Sequence, residues 1–428
     1  MKELILQGLD EKIYFYETKC GLKMYMWVNE KITSMYATLS VKYGSIHTKF
    51  KIGKKTYETP NGIAHFLEHI KFNINEFETA HDRFYKLGGD ANAFTTFDYT
   101  SYLIYTTKNK KESLKELISF VYNPYFTKKD IAKEKGIIIE EAKMGLDDKY
   151  AVMFYEHLQN TLQKSKYRYT ITGTPKDVEK INLDDIKLVF DAFYHPNNMF
   201  IVITGNFNPY EMINAAEEAF DSIEFKEYQN PVVILENEPR KVTKKYTESK
   251  KDITYPSVKV TLKTDISKFK NFSKLNLKVL TNILFDINFG MTSDFKNELI
   301  EKGIIQNLSV FNDIYDNVFI ITITASTYCK DEFIRLLKEK LSNLSVSDAE
   351  FIRKKNASIA TLILDYEDLE NVSYKLQYEI LNFGNILTSF KETLQNLQVS
   401  DVENLIDLID TNNMAITVFL PNENQKEE

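Results

Sequence analysis

Five consecutive residues hold the plainest chemistry in this 428-residue chain: His65-Phe66-Leu67-Glu68-His69, inside TPNGIAHFLEHIKF. On an α-helix, residues four apart share a face one turn on. The imidazoles of His65 and His69 therefore come together, with the Glu68 carboxylate beside them. Two neutral imidazoles on one face are half of a catalytic zinc site, which takes three protein ligands and a water. A carboxylate next to that water, but off the metal, can take its proton. The order H-x-x-E-H reverses the common zinc-peptidase order H-E-x-x-H. The other four histidines, His47, His81, His157 and His195, show no partner pattern and read as structural.

A third ligand has to come from elsewhere, and the stretch DIAKEKGIIIEEAKMGLDDKY offers one. In it Glu134 and Glu141 stand seven apart, which on a helix leaves them about 20° from each other on one face. Ile137 and Ile138 give that helix an apolar side for packing. Glu140 falls roughly 100° from Glu141 and is the weaker candidate. Alone, such glutamates read as solvated. With the histidines upstream they read as an acidic stripe that can meet His65 and His69.

The elements that must position these groups follow from patterning. Residues 12–28 and 33–43 alternate apolar and polar and read as two antiparallel strands, turned at Asn29-Glu30-Lys31. Residues 44–58 read as a polar, Lys-rich loop. Thr59 then caps the motif helix, with Pro60 at its first position. A second helix over 76–87 stops at Gly88-Gly89. ANAFTTFDYTSYLIYT (91–106) reads as a strand pair and 109–122 as an amphipathic helix. Asn123-Pro124 breaks that helix, and Thr127 caps the one with Glu134 and Glu141. A helix over 183–194 leads into the buried strand MFIVITG, and another covers 208–224.

Residues 225–250 are polar, with Pro231, Pro239 and the basic run Arg240-Lys241 to Lys244-Lys245, and read as a linker. A second cycle then starts with a strand at 252–264 and helices at 269–288 and 293–302. Strands at 304–313 and 316–327 follow, then helices at 330–344, 347–380 and 399–410, and a strand at 413–419. The tail 423–428 is expected to fray. NLDDIKLVFDAFYHPNNMFIVI (182–203) is echoed by VSDVENLIDLIDTNNMAITVF (399–419), which sets Met199 and Met414 215 residues apart. A duplicated domain explains the echo. The expected fold is α+β: two homologous domains, each an antiparallel or mixed sheet packed against helices. The expected boundaries are 1–225 for the zinc-binding domain, 226–250 for the linker and 251–428 for a second domain without a zinc site.

The length exceeds one ordinary core, which agrees with two domains. With 43% hydrophobic and 27% charged residues the composition is that of a globular protein. The first twenty residues lack the apolar run of a secretory signal, and no stretch has the length of a membrane span. Two distant cysteines, Cys20 and Cys329, exclude a disulfide framework and fit a reducing cytoplasm. A net charge of −7 argues against nucleic acid as a partner.

HFLEH, followed by LGGDANAFTTFDYT and EKGIIIEEAKM, resembles the pitrilysin/insulinase-type zinc metallopeptidases, the inverzincins. The resemblance is closest to their half-length branch, with mitochondrial processing peptidase β and its bacterial relatives. It is strong over most of residues 10–225 and weak beyond. It implies a zinc endopeptidase in which His65, His69 and Glu141 bind one zinc per chain and Glu68 is the general base. It further implies that Glu134 supports the site from behind the ligands. Ala91, Asn92, Ala93 and Phe94 are implied to form a sheet edge where a peptide substrate adds as an extra strand. The two domains would form half of a clamshell. The 72 residues from His69 to Glu141 are fewer than usual in the family, as a trimmed loop would give.

One departure bears on partners. Such families often carry an Arg and a Tyr seven apart in the last clamshell domain, where they grip the substrate carbonyl. The matching stretch here, GMTSDFKNELIEKGIIQNLSV, holds Ile300 and Asn307 at those positions. The expectation is a heterodimer with a homologous half-length chain that supplies the Arg/Tyr pair, a homodimer being the other arrangement. Two further readings stay open: a silent structural or peptide-binding subunit of the same fold, and a maturation protease for one dedicated precursor peptide.

Overall fold

The computed structural model describes residues 1–422; the tail expected to fray, 423–428, lies outside the described residues. The chain divides into two compact units. Unit 1 is Met1–Met144, Thr170–Ile234 and Thr361–Glu392; unit 2 is Gly145–Tyr169, Leu235–Ala360 and Thr393–Glu428. Each unit thus takes in a segment from the other half of the sequence, across the expected division at 226–250.

Strands β1 (Lys2–Leu6), β2 (Glu11–Glu17), β3 (Lys23–Val28) and β4 (Met35–Val41) open unit 1. The stretch read as a loop at 44–58 instead holds a hairpin, β5 (Lys49–Ile52) and β6 (Lys55–Glu58), turned at Gly53 with φ 57°. It leads into α1 (Ile63–Lys71) and α2 (Ala80–Leu87), and then into the strand pair β7 (Gly89–Thr95) and β8 (Thr100–Thr106). Helices α3 (Lys110–Tyr122) and α4 (Lys128–Asp147) follow. Next come α5 (Lys149–Thr161), α6 (Pro175–Lys180), α7 (Leu183–Phe193), β9 (Met199–Gly205), α8 (Pro209–Phe220) and β10 (Val232–Val233). The sheet order is β1-β2-β3-β9-β4-β8-β7. β9 and β4 run through its middle and every residue of both is buried; the apolar run of β9 requires this, while Thr38 and Ser40 of β4 are buried against Ser373 and Gln377.

The second half gives β11 (Tyr246–Lys251), β12 (Ser257–Asp265), α9 (Lys274–Phe289), α10 (Asp294–Glu301), β13 (Asn307–Tyr315) and β14 (Val318–Ser326). Helices α11 (Lys330–Leu341), α12 (Asp348–Leu364), α13 (Leu369–Phe383), α14 (Phe390–Asn396) and α15 (Val399–Ile406) precede the last strand, β15 (Met414–Pro421). The helix expected over 347–380 is broken near Tyr366. There Asp368 leaves helical geometry and its side chain accepts the N–H groups of Glu370 and Asn371, capping α13 afresh.

The unit 2 sheet runs β11-β15-β12-β14-β13, and its topology repeats five strands of unit 1, β3-β9-β4-β8-β7. In each set the first and last strands in sequence pair parallel, and the remaining pairs are antiparallel. Met199 and Met414, the echoed pair, open the equivalent strands β9 and β15. The covering helices are exchanged in an equivalent way. α13 lies on β9 and β4 in unit 1, and α5 lies on β15 and β12 in unit 2. Gln377 of α13 accepts from Ser40 and Ser101 at 3.1 and 3.2 Å. His157 of α5 bridges Thr417 and Thr261 at 2.8 and 2.6 Å.

The stretch read as a linker is anchored at both ends. β10 adds to β5 in unit 1. In unit 2 the Glu238 carboxylate accepts the N–H groups of Gln163, Lys164 and Ser165 at 2.7 Å each and pairs with buried Lys263 at 2.6 Å.

Candidate active site

The site grows from α1. Eight of its nine residues are buried, so the helix runs through the core and not along the surface. Ile63, Phe66, Leu67 and Ile70 supply the apolar packing. Its start is not the expected Thr59 cap with Pro60: the helix begins at Ile63, behind Gly62 in a left-handed conformation at φ 85°. A Cβ on Gly62 would stand 2.2 Å from the Thr172 carbonyl oxygen, and one on Gly173 would stand 2.7 Å from that of Asn61. Two backbones cross there at a spacing only glycine permits. At the other end the Lys71 ammonium donates to the Asn123 carbonyl and lies over the rings of Phe126 and Phe190. Burial draws its pKa well down.

On the remaining face of α1 the imidazoles of His65 and His69 stand 4.5 Å apart, centroid to centroid. The acidic stripe of α4 meets them. Glu141 places one oxygen 3.4 Å from His65 Nε2 and the other 3.4 Å from His69 Nε2. These spacings are long for hydrogen bonds. They match two ligands about 2.1 Å from one zinc ion at a tetrahedral angle, which lie roughly 3.4 Å apart. One ligand atom from each residue lies within 4.8 Å of the others, a set able to hold a metal ion. Glu134, two turns back on α4, contacts His69 Nδ1 at 3.0 Å. With the Nδ1 proton committed there, Nε2 keeps its lone pair for a metal. The residues present therefore fit zinc. Glu140 points away and pairs with Lys143 in solvent.

Electrostatics separate the carboxylates. Burial pushes the Glu68 carboxyl above the usual range, and neither the histidines nor its hydrogen bond from Thr95 cancels that shift. Contact with His65 holds Glu141 below the usual range despite partial burial. Burial disfavours the charged form of His69, but the hydrogen bond to Glu134 and the charges of Glu68 and Glu141 outweigh it, so its pKa is raised. A buried carboxylate off the ligand set, with its affinity for protons raised, suits a general base.

β7 forms the edge of its sheet, with β8 as its one strand partner. Ala91, Ala93 and Thr95 alternate along one face, and Asn92 and Phe94 along the other. The Ala91 and Ala93 amides donate to the side chains of Asp90 and Asn92, both at 2.9 Å. Phe94 packs against Tyr99 and Tyr374. Thr95 ties this strand to the site: its hydroxyl donates to Glu68 Oε2 at 2.5 Å. Sequence reasoning stopped at Phe94 and missed it. The available signal was period-2 alternation, which puts Thr95 on the face of Ala91 and Ala93.

Known proteins share this arrangement of elements. Residues 29–175 match the insulinase (peptidase family M16) profile, and residues 180–358 match the peptidase M16 inactive domain. An uncharacterized zinc protease of Bacillus subtilis, YmfH, is 30% identical over 426 residues, covering 95% of this chain and 96% of that protein. The chain belongs to the M16 peptidase family. His65, His69 and Glu141 of this M16 chain all fall within the first of the two matched stretches. A mitochondrial-processing peptidase subunit beta from Arabidopsis thaliana is 21% identical, over 81% of this chain and 68% of that protein. The solved structure of an M16-like peptidase from Alicyclobacillus acidocaldarius shares the fold, with a TM-score of 0.90 at 23% identity. It covers 98% of this chain and 100% of that one.

Proposed function

We propose that this M16 chain is a zinc-dependent endopeptidase for short or unfolded peptides and the catalytic member of a two-chain assembly. The observation that carries the reading is the convergence of His65, His69 and Glu141, with one ligand atom of each within 4.8 Å of the others and Glu68 beside them but outside the set. Zinc held by those three would supply a Lewis acid that activates water and polarises the scissile carbonyl. Glu134 fixes the tautomer and ring angle of His69. Glu68 takes a proton from the attacking water and passes it to the leaving amine. The open edge of β7 receives the peptide as an added strand through Ala91 and Ala93, whose amides exchange their Asp90 and Asn92 partners for substrate carbonyls. Main-chain pairing of that kind favours extended, unfolded substrates.

Ile300, in α10, and Asn307, which opens β13, stand where the family's Arg and Tyr are expected. Neither can donate the charged or phenolic hydrogen bond that an oxyanion requires. A homologous half-length chain with that pair would complete the site. Both cysteines are free thiols, which suits a reducing compartment. The competing reading, a silent peptide-binding subunit, draws on the same missing pair.

Glu68→Gln tests the catalytic role. The variant is expected to keep its zinc and lose peptide turnover by about 10²- to 10⁴-fold. Full activity in Glu68→Gln would refute the assignment.

A further inference from the structure

We infer that Thr95 is a positioning residue for the base, one that divides the labour between the two oxygens of Glu68. The inference rests on the reading of Glu68 as the general base. The Thr95 hydroxyl donates to Glu68 Oε2 at 2.5 Å. A hydroxyl has one proton to give, so that oxygen is engaged and the rotation of the carboxylate is fixed. The second hydroxyl nearby does not compete for Glu68. Thr100 Oγ1 lies 3.3 Å from Thr95 Oγ1 and donates at 3.0 Å to the Tyr43 carbonyl oxygen, so its one proton is spent there. Glu68 is 7% exposed and sits on the fully packed helix α1. Its carboxylate thus has little freedom beyond rotation of its last bond. With Oε2 held, Oε1 alone is left to accept the proton of the attacking water, in one orientation.

Thr95 also ends the edge strand β7, in register with Thr100 of β8 and on the same face as Ala91 and Ala93. One residue therefore connects the strand proposed to receive the peptide with the group proposed to receive the proton. The base is aimed by the same backbone that aligns the scissile bond, which favours transfer in a fixed near-attack geometry.

The test compares wild type, Thr95→Val and Thr95→Ser on one quenched-fluorescence peptide, each assayed together with the Arg/Tyr-bearing partner chain. Zinc stoichiometry and melting temperature are measured on each, and Glu68→Gln is run alongside. Valine keeps the shape and removes the hydroxyl; serine restores it. The expected result is a 10- to 100-fold fall in kcat for Thr95→Val with KM within threefold, unchanged zinc, and recovery in Thr95→Ser to within about threefold of wild type. Unchanged kcat in Thr95→Val, or a loss that falls on KM alone, would overturn the positioning role. So would failure of serine to restore kcat in a protein of unchanged zinc content and melting temperature. These outcomes are distinct from failure of the underlying reading, in which Glu68→Gln itself remains active.

Discussion

At the scale of single residues, the two site histidines differ in support. His69 donates through Nδ1 to Glu134, whereas His65 Nδ1 is buried with no hydrogen-bond partner. The orientation of His69 is thus enforced by a carboxylate and that of His65 by packing, since His65 is only 8% exposed. Losing a carboxylate behind a metal-binding histidine typically costs 10- to 100-fold in metal affinity. Glu134→Ala is therefore expected to weaken zinc binding by about that factor, read by competition with a chelator; wild-type affinity would contradict the role given to Glu134. The pair Glu134 and Glu141 was readable in the sequence because seven residues on a helix nearly close two turns. Thr95 was readable only as a residue on the face of Ala91 and Ala93; its contact with Glu68 depends on β7 lying beside α1, a long-range fact that the alternation does not encode. A second buried histidine is predicted to contribute to acid sensitivity. Burial pulls the His157 pKa down to about 3 between its threonine partners. As pH falls below about 6.5 the unfolded imidazole takes a proton that the folded one refuses until about pH 3, so folding loses about 1.4 kcal/mol per pH unit from this group. The drop in melting temperature between pH 7 and pH 5 should be smaller in His157→Gln than in wild type. Equal drops would exclude His157 as a source of acid sensitivity.

At the scale of elements, α1 is seated by backbone and not by a side-chain cap. Gly62 combines a positive φ with a 2.2 Å approach to Thr172 for any added Cβ, so Gly62→Ala must move the helix or the 170–173 turn. Strain of that kind costs about 1–3 kcal/mol, and the displaced histidines lose their common centre with Glu141. The expected outcome is a lower melting temperature and less than one zinc per chain; a fully loaded variant of wild-type stability would contradict it. Thr59 and Pro60 looked like a helix start because their residue types fit one. The turn at Asn61-Gly62 won, since the crossing with Thr172 and Gly173 leaves room only for glycine. The break in the expected 347–380 helix has a similar lesson. Asp368 was one acid among several in DYEDLE, and only its non-helical backbone shows that it caps α13.

At the scale of the whole molecule, the duplication glimpsed at Met199 and Met414 extends to the order and direction of five strands in each sheet. The sequence echo was short because only the helix-to-strand step into β9 and β15 keeps its residues. The rest is conserved as topology. The exchange of α5 and α13 between halves was invisible, since an amphipathic helix does not specify which sheet it covers. The site histidines His65 and His69 belong to unit 1, whereas unit 2 holds only His157, on α5, where two threonines engage it. Among the described residues one group, His65, His69 and Glu141, could hold a metal ion, and the proposed function leaves the oxyanion to a partner chain. The most direct measurement is zinc content by elemental analysis, taken with cleavage of a mixed peptide library, on the purified chain by itself. The account predicts one zinc per chain, bound through His65, His69 and Glu141, with little or no cleavage until a homologous Arg/Tyr-bearing chain is added. Robust cleavage by the chain alone would contradict the two-chain proposal, and a chain that takes up no zinc would contradict the enzyme itself.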